Sequence, residues 1–513
     1  MLGGIQWGMA ADADCDLLVI GGGINGAAIA RDAAGRGLRV LLCERDDLAA
    51  HTSGASTKLL HGGLRYLEHG ELRLVAAALA ERERLLRLAP QFSRPFDFVL
   101  LPAPGLRRDW LIRLGLFLYD HLDFGRRTLP ATRRIEAGAL PLGRALRPDC
   151  AGSAWMYADG WTDDARLVVL TALDAAERGA NIRTRTAVTA AQRDGGRWRV
   201  QLQASGGCGE VTARALVNAA GPWVEAVLGT LGGCAPAARP RLRLVRGSHI
   251  VVPRLYAFPA ACVLQLPDRR IVFTIPYEQD WTLIGTTEVD CARPGDAQTD
   301  AAEIDYLCTA LAPYFRSPPT PRDVVWHYAG VRPLLDDGRA SSRVSRDWRL
   351  ESDAGPPPLV SVYGGKLTTC RRLAEAVVDR LAAGLGCRAP AWTAGGPALP
   401  GGDFDDREAL LRSLRATRPW LPPALAARLV RSYGTRASRL LGAANALAGL
   451  GTDFGAGLHA AEVDYLVQTE WARTADDVLW RRSKLGLRVD AAAAARLADY
   501  LAEAVPRLTG GPA

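Results

Sequence analysis

Lysine is nearly absent from this chain: of 63 basic residues only Lys58, Lys366 and Lys484 are lysines. Arginine therefore carries positive charge almost everywhere, and a retained ammonium differs from it in shape, hydration and titratability. The ten cysteines form no C-x-x-C pair and no ligand-like cluster with histidine, so no metal site is expected and a reduced compartment is. Nowhere does the chain run through the ~18 consecutive apolar residues that span a bilayer. Its first residues, "MLGGIQWGMAADADC", lack the basic region and apolar run of a secretion signal. The net charge of +8 comes without basic blocks, which makes solvated surface the default and nucleic acid an unexpected partner.

What is present is the composition of a soluble globular protein, with 48% hydrophobic and 23% charged residues over 513 positions, enough for two or three domains. Asp16 to Ile20, "DLLVI", has the unbroken apolar character of a buried parallel strand. It runs into "GGGINGAAIARDAAGRG", where Gly21, Gly23 and Gly26 make G-x-G-x-x-G, and a second apolar run, "LRVLLCE", ends on Glu44. Each part has a physical role: Gly21 permits the tight turn, Gly23 lets backbone approach a pyrophosphate, and Gly26 lets the helix press on the sheet. The helix N-terminus offers N–H groups to phosphates, and Glu44 can accept hydrogen bonds from a ribose. A dinucleotide-binding Rossmann-type domain follows, with NAD and FAD both open at this point.

Further on, "ARALVNAAGPWVEAVLG" reads as another buried strand ending at a Gly-Pro turn, and "PPLVSVYGGKLTTCRRLAEAVVDRLAAGL" as strand, glycines and helix. Between them "GSHIVVPR" and "RRIVFTIPYEQDWTLIGTTEV" carry the β-branched and aromatic residues of antiparallel strands. The predicted fold is α/β: a nucleotide region over residues 14–394 that brackets an antiparallel β substrate domain at about 240–321, with an all-α domain over 403–513 after the linker "GGPALPGGDF". The helical tail includes "EVDYLVQTEWARTADDVLWRRSKLGL". The stretch Leu106 to Leu122, "LRRDWLIRLGLFLYDHL", mixes arginines with Trp and Phe as membrane-surface helices do. Its wide apolar face favours burial between domains instead.

One stretch resists a structural reading. His51 to Glu68, "HTSGASTKLLHGGLRYLE", follows neither helical nor strand periodicity yet packs hydroxyls (Thr52, Ser53, Ser56, Thr57), His51 and His61, Lys58 and Arg65 around Gly62 and Gly63. Together with "DLLVIGGGINGAAIARDAAGRGLRVLLCERDDLAA" before it and "GPWV", "RGSHIVVPR", "GTTEVD", "GVRPLLDD" and "YGGKLTTCRRLAE" after it, it resembles the aerobic FAD-dependent glycerol-3-phosphate dehydrogenases of the D-amino-acid-oxidase-like flavoprotein superfamily. The likeness covers nearly the whole chain, with departures at Ala28 and His51.

That resemblance implies FAD as cofactor, oxidation of sn-glycerol 3-phosphate to dihydroxyacetone phosphate by hydride transfer to flavin N5, and electrons passed to a membrane quinone, ubiquinone. It implies a cytoplasmic protein peripheral on the inner face of the cell membrane, and allows a homodimer. It places Thr52, Ser53, Ser56, Lys58, His61 and Gly62 along FAD, with Gly221, Gly330, Gly365, Lys366, Leu367 and Thr368 completing the cofactor set. A phosphorylated substrate needs a dianion clamp, for which guanidinium forks serve; Arg332 in "GVRP" and Arg65 in "GGLRY" are the candidates. Lys366, after a Gly-Gly turn, would add charge on substrate or flavin. His249 is the candidate base, against the commoner role of a strand histidine as a hydrogen-bonded structural group, and His61 is expected to pack against the flavin. A related flavin oxidase using oxygen, on glycerol 3-phosphate or an amine or amino acid, is the alternative.

Overall fold

The apolar run after the N-terminus forms the strand Cys15–Ile20, buried at every residue, and leads directly into the helix Ile24–Gly35. In the computed structural model residues 15–102, 109–122, 128–232, 240–268, 270–336, 338, 347–353 and 355–510 are described, apart from the side chains of Arg65 and His69. Cys15–Ile20 sits at the centre of a parallel array, between Val40–Cys43 on one side (Leu17 opposite Val40) and Gly207–Asn218 on the other (Leu17 opposite Ala215). Asn181–Arg183 and Leu359–Gly364 extend the array outward. Trp348–Asp353 adds an antiparallel edge, and Thr186–Asp194 and Arg197–Ala204 an antiparallel flap, completing eight strands. The alanine-rich Ile24–Gly35 helix lies on this sheet between the helices Asp164–Glu177 and Cys370–Leu385, and their apolar faces form the largest core.

A second sheet has ten strands and extends beyond the expected window. Leu242–Pro253, Ala261–Gln265, Ile271–Tyr277, Trp281–Gly285 and Val289–Asp290 come from within residues 240–321, but Leu59–Leu60, Ser93–Leu100, Arg133–Glu136, Ser153–Thr162 and Trp326–Leu335 come from outside them. The two groups meet twice, where Leu242–Pro253 pairs antiparallel with Trp326–Leu335 and where Ala261–Gln265 runs parallel to Ser93–Leu100, with Ala261 opposite Phe98; among the described residues the sheet's other pairings are antiparallel. Four separate excursions of the chain thus build one surface facing the cofactor sheet.

Beyond the linker, Arg407–Thr417, Pro423–Tyr433, Ala460–Thr469 and Ala491–Thr509 pack as helices around their own core. Within the quoted tail segment Ala460–Thr469 ends, Glu470 takes an ion pair with Arg166, and the chain resumes as a π-helical turn over Asp477–Arg482. The helix Asp109–His121 is a departure. Far from being buried between domains, it exposes Trp110 (60%), Leu111 (44%), Leu114 (46%) and Phe117 (56%), while burying Leu116 and Tyr119. Residues 106–108 of the same motif lie outside the described residues.

Candidate active site

Where the C-terminal ends of the parallel strands face the second sheet, the two enclose a cleft of about 1190 Å³. Open parallel sheets bind ligands at this end because the strand-to-helix turns present backbone N–H groups there. Of the residues singled out in the sequence, Gly21, Gly23, Glu44, Thr52, Ser53, Ser56, His61, Gly221, Gly330, Arg332, Gly365, Lys366, Leu367 and Thr368 line it. Gly26, Lys58, Gly62 and His249 do not. The Arg65 side chain lies outside the described residues; its backbone belongs to the turn Leu64–His69.

The glycine turn has the geometry a phosphate-binding turn requires. Gly21 has φ +110°, and a Cβ there would lie 2.7 Å from the Ala219 carbonyl oxygen, so no other residue fits without moving the neighbouring strand. A Cβ on Gly26 would overlap the Gly21 carbonyl oxygen; its hydrogen is what lets the helix sit this close to the strand. At the helix N-terminus the Ser53 hydroxyl accepts from Ile24 N at 3.0 Å, which ties the start of the His51–Glu68 stretch to the turn. Glu44 accepts from Gly22 N at 2.6 Å and Asp46 N at 2.8 Å, and burial pushes its carboxyl above the usual range. Glu44, Asp46 and His51 bring ligand atoms within 4.8 Å of one another, but Asp46 is bonded to His51 Nε2 at 2.7 Å and Glu44 to backbone, so hydrogen bonding accounts for the trio.

Both walls carry charge. Arg332, on the strand Trp326–Leu335, donates from Nη2 to Thr286 Oγ1 at 2.9 Å and from Nη1 to the Thr287 carbonyl at 3.5 Å. Its guanidinium passes so close to Gly247 that a Cβ there would overlap it. Lys366 projects from the turn before the helix Cys370–Leu385, its amine 3.9 Å from the centre of the Tyr66 ring. Thr52 joins the two walls by donating to the Val331 carbonyl at 2.7 Å.

Two expected site residues take other roles. Lys58 points away from the cleft: its amine is buried against Asp164 Oδ1 at 2.7 Å, and the same carboxylate accepts from Ser56 N and Oγ at 3.0 and 2.8 Å. Lys58 and Asp164 thus fix the fold of the loop that lines the cleft. Gly62 is buried, donating its N–H to the Tyr119 hydroxyl at 2.7 Å. His249 is 1% exposed, with Nε2 2.9 Å from Thr57 Oγ1 and its ring stacked on Tyr328 at 4.9 Å and 14°. Burial, then the cations of Arg332 and Lys58, hold its imidazole well below the usual histidine range, so it is neutral at neutral pH. Asp164, Thr286 and Tyr328 are the residues that sequence reasoning missed in this site, while Thr57 stood among the hydroxyls without a role of its own. Thr286 lies inside a quoted motif, whereas nothing local marks the other two.

Residues 16–380 match the family described as FAD dependent oxidoreductase. The chain belongs to that family. Residues 396–507 match the C-terminal domain of alpha-glycerophosphate oxidase. A glycerol-3-phosphate dehydrogenase of Pseudomonas aeruginosa is 49% identical, over 95% of this chain and 94% of its own. A D-erythritol 1-phosphate dehydrogenase of Brucella abortus is 47% identical, over 96% and 98%. Among solved structures, the glycerol-3-phosphate dehydrogenase from Bacillus halodurans complexed with FAD superposes with a TM-score of 0.72 at 27% identity, over 97% of this chain and 90% of that one. The cofactor is FAD, and the cleft fits it: a side-chain-free turn for the pyrophosphate, a buried carboxylate for the ribose, and a long cavity between the two sheets.

Proposed function

We propose that this chain is a glycerol-3-phosphate dehydrogenase, oxidising sn-glycerol 3-phosphate to dihydroxyacetone phosphate and passing the electrons to a membrane quinone, ubiquinone. The observation that carries the substrate is the pair of cations on the cleft walls: Arg332, held by Thr286, and Lys366, laid over Tyr66. A phosphate dianion calls for two such fixed cations, whereas one guanidinium fork satisfies the single carboxylate of an amino acid and a simple amine needs neither.

FAD supplies the hydride acceptor, at flavin N5. The residues proposed to hold it are Gly21, Gly23, Glu44, Thr52, Ser53, Ser56, Gly221, Gly330, Gly365, Leu367 and Thr368, with His61 packed beside it. Arg332 grips the phosphate bidentately, with Arg65 the next candidate for the clamp. Lys366 stabilises negative charge at the reacting end. His249, neutral and close to Arg332, takes the hydroxyl proton.

The exposed helix supports this acceptor and a peripheral location. Leu111 and Leu114 of Asp109–His121 face solvent and also line the cleft, so a lipid-soluble acceptor reaches the cofactor through the face that meets the membrane. Among the described residues no helix is long and apolar enough to cross a membrane, which fits a peripheral protein at the inner face. The experiment is anaerobic mixing of the yellow holoenzyme with sn-glycerol 3-phosphate. Bleaching of the flavin, re-oxidation by a quinone and no peroxide in air support the reading; a flavin that stays oxidised overturns it. The Brucella abortus relative favours D-erythritol 1-phosphate as the second substrate to test, and faster bleaching by it would reassign the substrate.

A further inference from the structure

We propose that Thr57 is a proton relay, standing between the substrate hydroxyl in the cleft and His249 behind the wall. The inference rests on the alcohol oxidation proposed above, and it arises from a mismatch of position. His249, the group suited to accept a proton, does not line the cleft; Thr57 does, and its Oγ1 lies 2.9 Å from His249 Nε2.

The imidazole cannot swing forward to meet a substrate. Tyr328 stacks on one of its faces, and on the strand Trp281–Gly285 the backbone comes so near that a Cβ on Gly285 would overlap the ring. His249 is itself fixed in the middle of the strand Leu242–Pro253, in register with Gly285 on one side and Tyr328 on the other. A hydroxyl, in contrast, both donates and accepts. With its hydrogen directed at Nε2, Thr57 turns oxygen lone pairs toward the cleft, where the alcohol proton must go.

The step balances without a further reactant. The substrate O–H bond breaks as its proton passes to Thr57 Oγ1, the Thr57 O–H bond breaks as its proton passes to His249 Nε2, and the C–H bond breaks with its electron pair leaving as the hydride that FAD, held in the cleft, would accept. A ketone and an imidazolium remain, and Thr57 is a neutral hydroxyl again.

The charges around His249 make the relay substrate-dependent. Burial, then Arg332 and Lys58, oppose protonation of the ring, and Asp164 favours it. A phosphate dianion seated against Arg332 would offset that guanidinium's share, so the acceptor gains strength when the substrate is bound.

The test compares Thr57→Val, which keeps shape and loses the hydroxyl, with Thr57→Ser, which keeps the hydroxyl. Thr57→Val is expected to lower kcat for sn-glycerol 3-phosphate by about a hundredfold with KM and FAD content unchanged, and Thr57→Ser to return kcat to within about threefold of the parent. A Thr57→Val enzyme with kcat near that of the parent, or a serine variant as slow as the valine one, overturns the relay while leaving the dehydrogenase reading intact. A second measurement needs neither turnover nor a variant: ¹⁵N NMR of the histidines in the resting holoenzyme. The relay requires Nε2 of His249 to be the unprotonated, hydrogen-bond-accepting nitrogen, and a proton found on Nε2 overturns it.

Discussion

Arg332→Lys separates a phosphate clamp from a structural cation. The guanidinium is pre-organised: Nη2 donates to Thr286 Oγ1 at 2.9 Å, Nη1 to the Thr287 carbonyl at 3.5 Å, and Gly247 leaves it just enough room. Lysine keeps the charge but loses the planar fork and the bond that orients it, so one of two charge-assisted hydrogen bonds to the phosphate disappears. Such a bond contributes about 2 kcal/mol, or about thirtyfold in kcat/KM. The assay is steady-state reduction of a dye acceptor by sn-glycerol 3-phosphate and, separately, by unphosphorylated glycerol, with FAD content read from the visible spectrum. The phosphorylated substrate should fall by that factor, glycerol should hardly change, and the flavin should stay bound. Gly247→Ala should reproduce the effect without altering any charge, because its Cβ would displace the same guanidinium. An equal fall on both substrates, or a colourless Arg332→Lys chain, would refute the clamp and move it to Arg65 and then Lys366.

Three further outcomes are expected. Gly26→Ala should lose most of its FAD on purification, since the new Cβ would overlap the Gly21 carbonyl and push the helix off the strand; a fully yellow variant would contradict this. Lys58→Met should lower stability by about 3 kcal/mol in urea titration by stranding buried Asp164, whereas flavin loss with unchanged stability would mean Lys58 acts on the cofactor after all. Burial raises, and Lys58 and Lys484 more than offset, the Asp164 carboxyl, leaving it below the usual range, so the pair's contribution is complete above about pH 4 and lost on further acidification, a loss Lys58→Met should show less of. Replacing Trp110 and Phe117 by glutamate should weaken sedimentation with anionic vesicles severalfold while dye-linked activity in solution is retained; unchanged sedimentation would exclude Asp109–His121 as the lipid-facing element.

The cofactor turn was legible in the sequence because its constraint is local. Gly21 and Gly26 answer to backbone a few residues away or in the adjoining strand, and the apolar runs on either side declare those strands. The second sheet was not legible in extent. Nothing in Ser93–Leu100, or in Ala261–Gln265 with every residue buried, tells which distant strand completes the ladder, and even a period-two pattern carries no such information. Lys58 shows the same limit at a side chain: its motif placed it at the cofactor, while its partner, 106 residues on, turned the amine the other way. Thr57 was visible as a hydroxyl among hydroxyls, and only the position of His249, on another sheet strand, gives it a role of its own.

The scarcity of lysine also has a structural counterpart, at the seam between the helical C-terminal unit and the cofactor loop. Asp47, between Glu44 and the Thr52–Gly54 turn, accepts from Arg481 Nε at 2.6 Å and from Nη1 and Nη2 of Arg482 at 2.6 and 2.8 Å. Arg166, on the helix behind the loop, makes a two-pronged pair with Glu470, and Arg185 reaches Asp477 at 2.5 Å. Arg482 and Glu470 are fully buried, and a buried ion is tolerated only while its hydrogen-bonding partners stay in place. Planar forks can satisfy several carboxylate oxygens at once, which a single ammonium cannot do. The C-terminal unit consequently cannot draw back without stranding charge on both sides, and the loop bearing Thr52, Ser53 and Ser56 is held from behind by arginines that never touch the cleft.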